Sequence, residues 1–84
     1  EMDRIEVESS NIHSIGYTPS SDTLEVAFKG KDGGVSNIYW YQDCPQEVYD
    51  ALMAAESKGK YFGQHIKGKY QCVKIGGGEE KKGA

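Results

Sequence analysis

The chain has 84 residues, 37% of them hydrophobic and 27% charged, a composition typical of one small globular domain. Its apolar runs are far shorter than a membrane span, and the acidic opening "EMDRIEVE" lacks the apolar stretch of a signal peptide, so we expect a cytoplasmic protein. The formal net charge of −3 argues against a general nucleic-acid binder, because phosphate contacts normally require a basic surface.

The first half of the chain predicts an antiparallel β-meander. Residues 1–8 are expected to form a mobile lead-in or a short edge strand, and "NIHSIGY" at 11–17 is compatible with a first strand. In "TLEVAFK", Leu24, Val26 and Phe28 recur at every second position, which is the pattern of a half-buried strand. The glycine-rich "GKDGG" predicts a hairpin loop that leads into the partner strand "SNIYWY".

An amphipathic helix is predicted after this strand. Pro45 suits a first helical turn, and Val48, Leu52 and Ala55 follow at helical spacing. We expect this helix to have about three turns and to end at Gly59 as its C-cap. Its apolar stripe would cover one face of the sheet.

The predicted architecture is a small α+β domain. It has an antiparallel meander of three to four strands, covered on one face by the amphipathic helix, and a short second helix or turn follows. The alternation in "YQCVKI" predicts the last strand. The folded domain is expected to span residues 9–75, and the glycine- and charge-rich residues 76–84 to form a disordered tail.

Four motifs give the chain a family resemblance. They are "SSNI" at 9–12, "LEVAF" at 24–28, "YWY" at 39–41 and "SKGKYFGQHIKGKY" at 57–70. Together they resemble the KTSC domain, a family named for its occurrence at the C-terminus of some lysyl-tRNA synthetases. The family also occurs as small stand-alone bacterial and phage proteins.

The resemblance implies a function as well as a fold. The family's Tyr-x-Tyr falls on Tyr39 and Tyr41, and a short gap then leads to Pro45. This chain departs from the usual pattern at Asp43 and Cys44, before that proline. RNA binding is the function suggested for the family, through its link to the synthetase.

The aromatic stretch "YWY" admits two interpretations. Alternation along a strand places Tyr39 and Tyr41 on one face of the sheet and Ile38 and Trp40 on the other. The tyrosines either stack on a base or pack under the helix. On the second interpretation, Ile38 and Trp40 form an exposed surface for self-association.

The segment after the helix is locally basic. No acidic residue occurs from Ser57 to Gly78, whereas five lysines do. Lysines interleaved with aromatic residues are typical of a segment that contacts a phosphate backbone and stacks on bases. The alternative is a solvated lysine face with the aromatic rings turned inward. The predicted ligand-binding residues are Lys58, Lys60, Tyr61, His65, Lys67, Lys69, Tyr70, Tyr39 and Tyr41.

These patterns favour a non-catalytic module that binds RNA or a nucleotide. The alternative is a small homo-oligomeric protein that binds or sequesters a nucleotide-like ligand or a partner protein. We expect no enzyme activity, because His13 and His65 belong to no catalytic motif. We also expect no metal or other cofactor and no membrane association, and Cys44 and Cys72 are predicted to be reduced thiols.

Overall fold

A computed structural model describes residues 3–77, which form one antiparallel sheet and two helices. The strands are β1 (Ile5–Glu6), β2 (Ile12–Thr18), β3 (Thr23–Lys29), β4 (Val35–Tyr41) and β5 (Cys72–Gly76), and the helices are α1 (Gln46–Ala54) and α2 (Lys58–His65). Each strand pairs with the next one along the chain, in the order β1-β2-β3-β4-β5. The α+β prediction is confirmed. Of the predicted tail, Gly76 belongs to β5 instead, because it pairs with Ile38, and residues 78–84 lie outside the described part of the chain.

The meander has five strands rather than the predicted three to four. The additional strand is β1 in the opening residues, for which the sequence allowed either a mobile lead-in or a short edge strand. Strand β3 is central, and it is buried on both faces from Thr23 to Ala27 rather than half-buried as predicted, because strands and the chain before β1 surround it. Leu24 and Val26 are buried towards the helices. Val26 lies between Ile15 of β2 and Tyr39 of β4, so each of its neighbours adds an apolar side chain to the same face.

The first helix is shorter than predicted, and Gly59 is not its C-cap. Helix α1 ends at Ala54, and the next residue, Ala55, has extended backbone geometry with ψ of 139°. Ser57 then begins a new helix, since its hydroxyl accepts a hydrogen bond from the Lys60 backbone N–H at 3.3 Å. A serine N-cap satisfies one of the free donors of a helix start, and Gly59 therefore lies in the first turn of α2.

Phe62 of α2 packs at the centre of the core. Its ring meets Phe28 of β3 edge-on at 5.4 Å and Tyr41 of β4 at 5.5 Å, measured between ring centroids. Tyr41 is buried, and Tyr39 is half-buried beside it. The two tyrosines thus pack under a helix, which was one of the two interpretations of this stretch, although the helix is α2 rather than α1.

The other face of the sheet carries a buried ionic cluster that the sequence did not indicate. Glu25 is only 4% exposed, and its carboxylate accepts a hydrogen bond from the indole N–H of Trp40 at 2.7 Å. The same carboxylate forms an ion pair with Arg4. Arg4 also donates to the Ser14 hydroxyl at 2.9 Å, so the chain before β1 is fixed across this face.

Tyr17 of β2 connects the sheet to α1. Its hydroxyl donates to the Cys44 carbonyl at 2.6 Å, and its ring stacks on Tyr49 of α1 with centroids 5.2 Å apart. Burial, and then the neighbouring Asp22 carboxylate, raises the pKa of Tyr17 to about 12. Burial also raises the pKa of Tyr41 and of Tyr70.

We therefore expect the domain to lose stability at alkaline pH. A tyrosine in the unfolded chain has a pKa of about 10, and the folded domain holds these protons more tightly. Their contribution is fully present below about pH 10 and is lost as the pH rises through the folded pKa, about 12 for Tyr17. Urea unfolding near pH 8 and near pH 11 measures this loss. The Tyr17→Phe variant should show a smaller loss, and an equal loss would contradict the assignment to Tyr17.

Candidate functional site

A groove lies between α2 and the β4–β5 part of the sheet, with a volume of about 500 Å³. We call it the aromatic groove, because its floor is formed by the rings of Phe28, Tyr39, Tyr41 and Phe62. Three polar side chains line it as well, namely those of Asn11, Asn37 and Lys67. A concave, mostly apolar site of this size with a few polar groups is typical of small-ligand binding.

The two tyrosines contribute differently to this floor. Tyr39 meets Phe28 edge-on at 5.9 Å and lies 6.4 Å from Tyr41 at a tilt of 43°. Tyr41 is buried, so its ring is used mainly for packing. Tyr39 is only half-buried, which leaves part of its ring for contact with a ligand. Of the predicted stacking pair, Tyr39 is therefore the better placed.

Lys67 lines the groove, and Lys74 is near it in the strand register. Lys67 follows α2, where its backbone N–H donates to the Phe62 carbonyl at 2.9 Å, and it lines the groove. Lys74 of β5 lies directly opposite Tyr39 in the strand register. A lysine just after a helix also complements the helix dipole, so Lys67 has a structural role in addition.

A second depression of about 430 Å³ adjoins the groove at the start of α2. It contains Lys58 and Lys60, and Asn11 and Gly59 line both concave regions. The Lys58 ammonium donates to the Ala55 carbonyl at 2.8 Å and so caps the end of α1. Lys60 makes no such contact with its side chain within residues 3–77.

Acidic residues also belong to this second depression. Glu8 and Glu56 line it together with the lysines, so its charge is mixed. The aromatic groove, by contrast, has Lys67 as its one charged lining residue within residues 3–77. An anionic ligand is therefore better matched to the groove than to the depression beside it.

The structure does not bring all the predicted ligand-binding residues together. Tyr61 and His65 contact each other, with ring centroids 4.4 Å apart. Because an α-helix has 3.6 residues per turn, they lie on a different face of α2 from Gly59 and Gly63. Tyr70 is half-buried against the core. These three residues and Lys69 line neither the groove nor the depression.

The sequence analysis missed the two asparagines and the glycines of α2. Asn37 is two residues before Tyr39 in the same strand, so strand alternation alone places it on the same face. Gly59 and Gly63 are four residues apart, which is the spacing of one helix face. Asn11 has no such local signal, because it reaches the groove from the start of β2.

The described residues include no alternative metal or membrane site. Within residues 3–77, no three His, Cys, Asp or Glu side chains are grouped to hold a metal ion. None of the helices in that range is long and apolar enough to cross a bilayer. Cys44 and Cys72 are both free, and burial raises the pKa of the Cys44 thiol to about 11.

Comparisons with known proteins identify the family. The KTSC domain matches residues 8–70. A protein of Stutzerimonas stutzeri is 38% identical over 66 residues, which are 79% of this chain and 86% of that protein. A lysine–tRNA ligase of Nostoc sp. is 37% identical over 68 residues, which are 81% of this chain but only 11% of the ligase.

A solved structure agrees with these matches. The crystal structure of a KTSC domain protein from Yersinia pestis is similar to this one with a TM-score of 0.79 and 42% sequence identity. The similarity covers 90% of this chain and 100% of that one. The sequence motifs, the fold and the comparisons thus agree, and the chain belongs to the KTSC domain family.

Proposed function

We propose that this protein is a non-catalytic module that binds single-stranded RNA or a nucleotide through the aromatic groove and the lysines beside it. One observation carries the proposal. The half-buried Tyr39 and the exposed Lys67 line the same concave surface. Aromatic rings stack on bases, and lysines bind the phosphates that connect them.

The charges around the groove suit this role. Arg4 and Glu25 form an ion pair on the other face of the sheet, away from the groove. Lys67 lines the groove, Lys60 lies in the adjoining depression and Lys69 is two residues after Lys67. All three are exposed and have no carboxylate partner within residues 3–77. Because the whole chain carries a net charge of −3, we expect a small number of phosphate contacts rather than strong non-specific binding.

The family relationship supports RNA as the ligand. The region that matches this chain in Nostoc sp. belongs to a lysine–tRNA ligase, whose name states that it acts on tRNA. A shared fold does not transfer function by itself. It does direct the first experiment to RNA rather than to DNA.

Salt-dependent binding tests the proposal. A fluorescently labelled single-stranded RNA of about ten nucleotides would be titrated by anisotropy at several salt concentrations. Each lysine that contacts a phosphate contributes about 0.7 to the slope of log K against log salt for a single strand. The triple variant Lys60→Gln, Lys67→Gln, Lys69→Gln should therefore have a slope shallower by roughly 2.

Lys31→Gln is the matched control, because Lys31 is exposed in the β3–β4 hairpin, away from the groove. It should leave the slope unchanged. Absence of saturable RNA binding would reject the proposal. So would an equal slope for the triple variant and the wild-type protein.

Self-association is the second candidate function. Trp40 is 37% exposed, and Val73, its cross-strand neighbour on β5, is 42% exposed. Ile38 is half-buried on the same face. Exposed apolar side chains side by side are typical of a contact surface, although this patch is small. A dimer that uses it should appear in sedimentation velocity and should dissociate in Val73→Lys.

Different measurements distinguish RNA binding from self-association. Trp40 lies on the face opposite the groove, so its emission reports self-association rather than RNA binding. An emission that shifts on dilution, in the absence of RNA, would favour the oligomer. A monomer at every concentration would exclude it.

A further inference from the structure

Gly63 occupies an unusual position for a glycine. It lies inside α2, where glycine costs about 1 kcal/mol of helix stability relative to alanine. Its backbone does not require glycine, since the glycines with positive φ among residues 3–77 are Gly33, Gly68 and Gly77. Packing does not require it either, because a Cβ atom at this position would meet no heavy atom within 4 Å.

The groove gives a reason for glycine at position 63, which neither backbone geometry nor packing supplies. Gly63 lines the aromatic groove, as do Gly59 and Gly68. Because Gly63 lines the groove and a Cβ atom there would meet only open space, a side chain at position 63 would take up part of the groove. The missing side chain leaves a wall of bare backbone on one side of the groove and aromatic rings on the other. This shape fits a flat ring.

The polar groups of the groove add a second observation. The side chain of Asn37 is half-buried and makes no hydrogen bond with residues 3–77. The Oδ1 atom of Asn11 accepts a hydrogen bond from the Ser9 hydroxyl at 3.1 Å, which leaves its NH₂ group without a partner in the same part of the chain. An amide offers both donors and an acceptor, the groups needed to read the edge of a base.

We propose that the aromatic groove is a subsite for a single nucleobase. The base lies between the ring of Tyr39 and the backbone of α2 at Gly63, the amides of Asn11 and Asn37 bind its edge, and Lys67 binds the attached phosphate. This inference rests on the proposed function and names the part of the ligand that the groove recognises. The source of the base is a single-stranded RNA or a free nucleotide, and the experiment separates the two.

Nucleotide titrations followed by NMR test the subsite. AMP, GMP, CMP and UMP would be added to isotope-labelled protein, with ribose 5-phosphate as the ligand that has no base. The nucleotides should shift the backbone amide signals of Gly63 and Gly68 and the side-chain amide of Asn37. Ribose 5-phosphate should shift the signals around Lys67 alone. Equal shifts with ribose 5-phosphate and AMP would overturn the subsite.

Gly63→Leu fills the groove without touching the core. We expect a folded protein with a Tm at or above that of the wild type, and no response to the nucleotides. Its affinity for the RNA should fall about 10- to 100-fold, the contribution of one stacked base, while the salt slope is unchanged. Gln64→Leu adds the same side chain to the same helix outside the groove, and it should bind like the wild type.

The outcomes distinguish this inference from the function on which it rests. If Gly63→Leu binds the RNA as tightly as Gln64→Leu does, the subsite is wrong while RNA binding stands. If nucleotides bind at the groove and RNA does not, the subsite stands and its ligand is a free nucleotide. If neither binds, the proposed function fails and the subsite fails with it.

Discussion

Phe62→Ala is expected to lower the free energy of unfolding by about 3–5 kcal/mol, the usual cost of removing a buried phenylalanine. Phe62 is 6% exposed and contacts rings from both β3 and β4. It therefore fixes α2 to the sheet. Its removal leaves a cavity beneath the helix, and interior packing relaxes only in part around such a cavity. Because small domains are stable by about 5–15 kcal/mol, this variant should be close to unfolding.

Two further variants show whether the loss comes from packing. Phe62→Leu keeps most of the apolar volume and should cost about 1–1.5 kcal/mol. Gly63→Leu, at the next position of the same helix, should cost nothing, since it adds a side chain where the structure has space. Urea unfolding followed by circular dichroism measures all three. A loss below about 1 kcal/mol for Phe62→Ala would contradict the packing of α2 described above.

The sheet was predictable because its signals are local. In "TLEVAFK", every second residue from Leu24 to Phe28 is apolar, and only an extended strand presents such residues to one face. The next strand follows after a loop with Gly33 at φ of 86°, a conformation that glycine adopts readily. The edge strand β1 has just two residues and too short a pattern to be distinguished from a lead-in.

Helix α2 was harder to predict because its own residues have a low helix propensity. Gly59 and Gly63 both lower helix propensity, and only Phe62 within it is buried. The helix forms because that ring and the following Ile66 pack on the sheet, and tertiary packing overrides propensity. The sequence pattern therefore predicted that α1 ends at Gly59, whereas Ser57 is already the N-cap of α2.

The candidate site shows the same limit. Composition correctly indicates a basic and aromatic segment, but composition cannot say which face of the chain each residue occupies. Once α2 is a helix, Tyr61 and His65 lie on the side opposite Gly59 and Gly63. The groove is completed by Asn37, two residues before Tyr39 on β4, and by Asn11, which lies just before β2 and meets α2 only in the folded chain. No spacing in the sequence relates residues that meet only through the tertiary fold.

Arg4→Met is expected to destabilise the domain by about 2–4 kcal/mol. The substitution leaves the Glu25 carboxylate, 4% exposed, with the indole N–H of Trp40 as its remaining partner among the contacts described above. Removing one member of a buried ion pair costs about 3–5 kcal/mol, because the other charge stays buried and unpaired. The Arg4 side chain is 26% exposed, so water replaces part of the interaction and the expected loss is smaller.

The double variant Arg4→Met, Glu25→Gln separates the ion pair from the burial of a lone charge. Glutamine keeps an oxygen for the Trp40 N–H but carries no charge, so stability should return to within about 1 kcal/mol of the wild type. A loss below about 0.5 kcal/mol for Arg4→Met alone would show that the pair behaves like an exposed one. Trp40 emission reports directly on the environment of the Glu25 carboxylate in each variant.

The ionic cluster of Arg4, Glu25 and Trp40 and the aromatic groove lie on opposite faces of the sheet. RNA affinity should therefore be equal in the folded double variant and the wild type, so the double variant tests whether the two faces act independently.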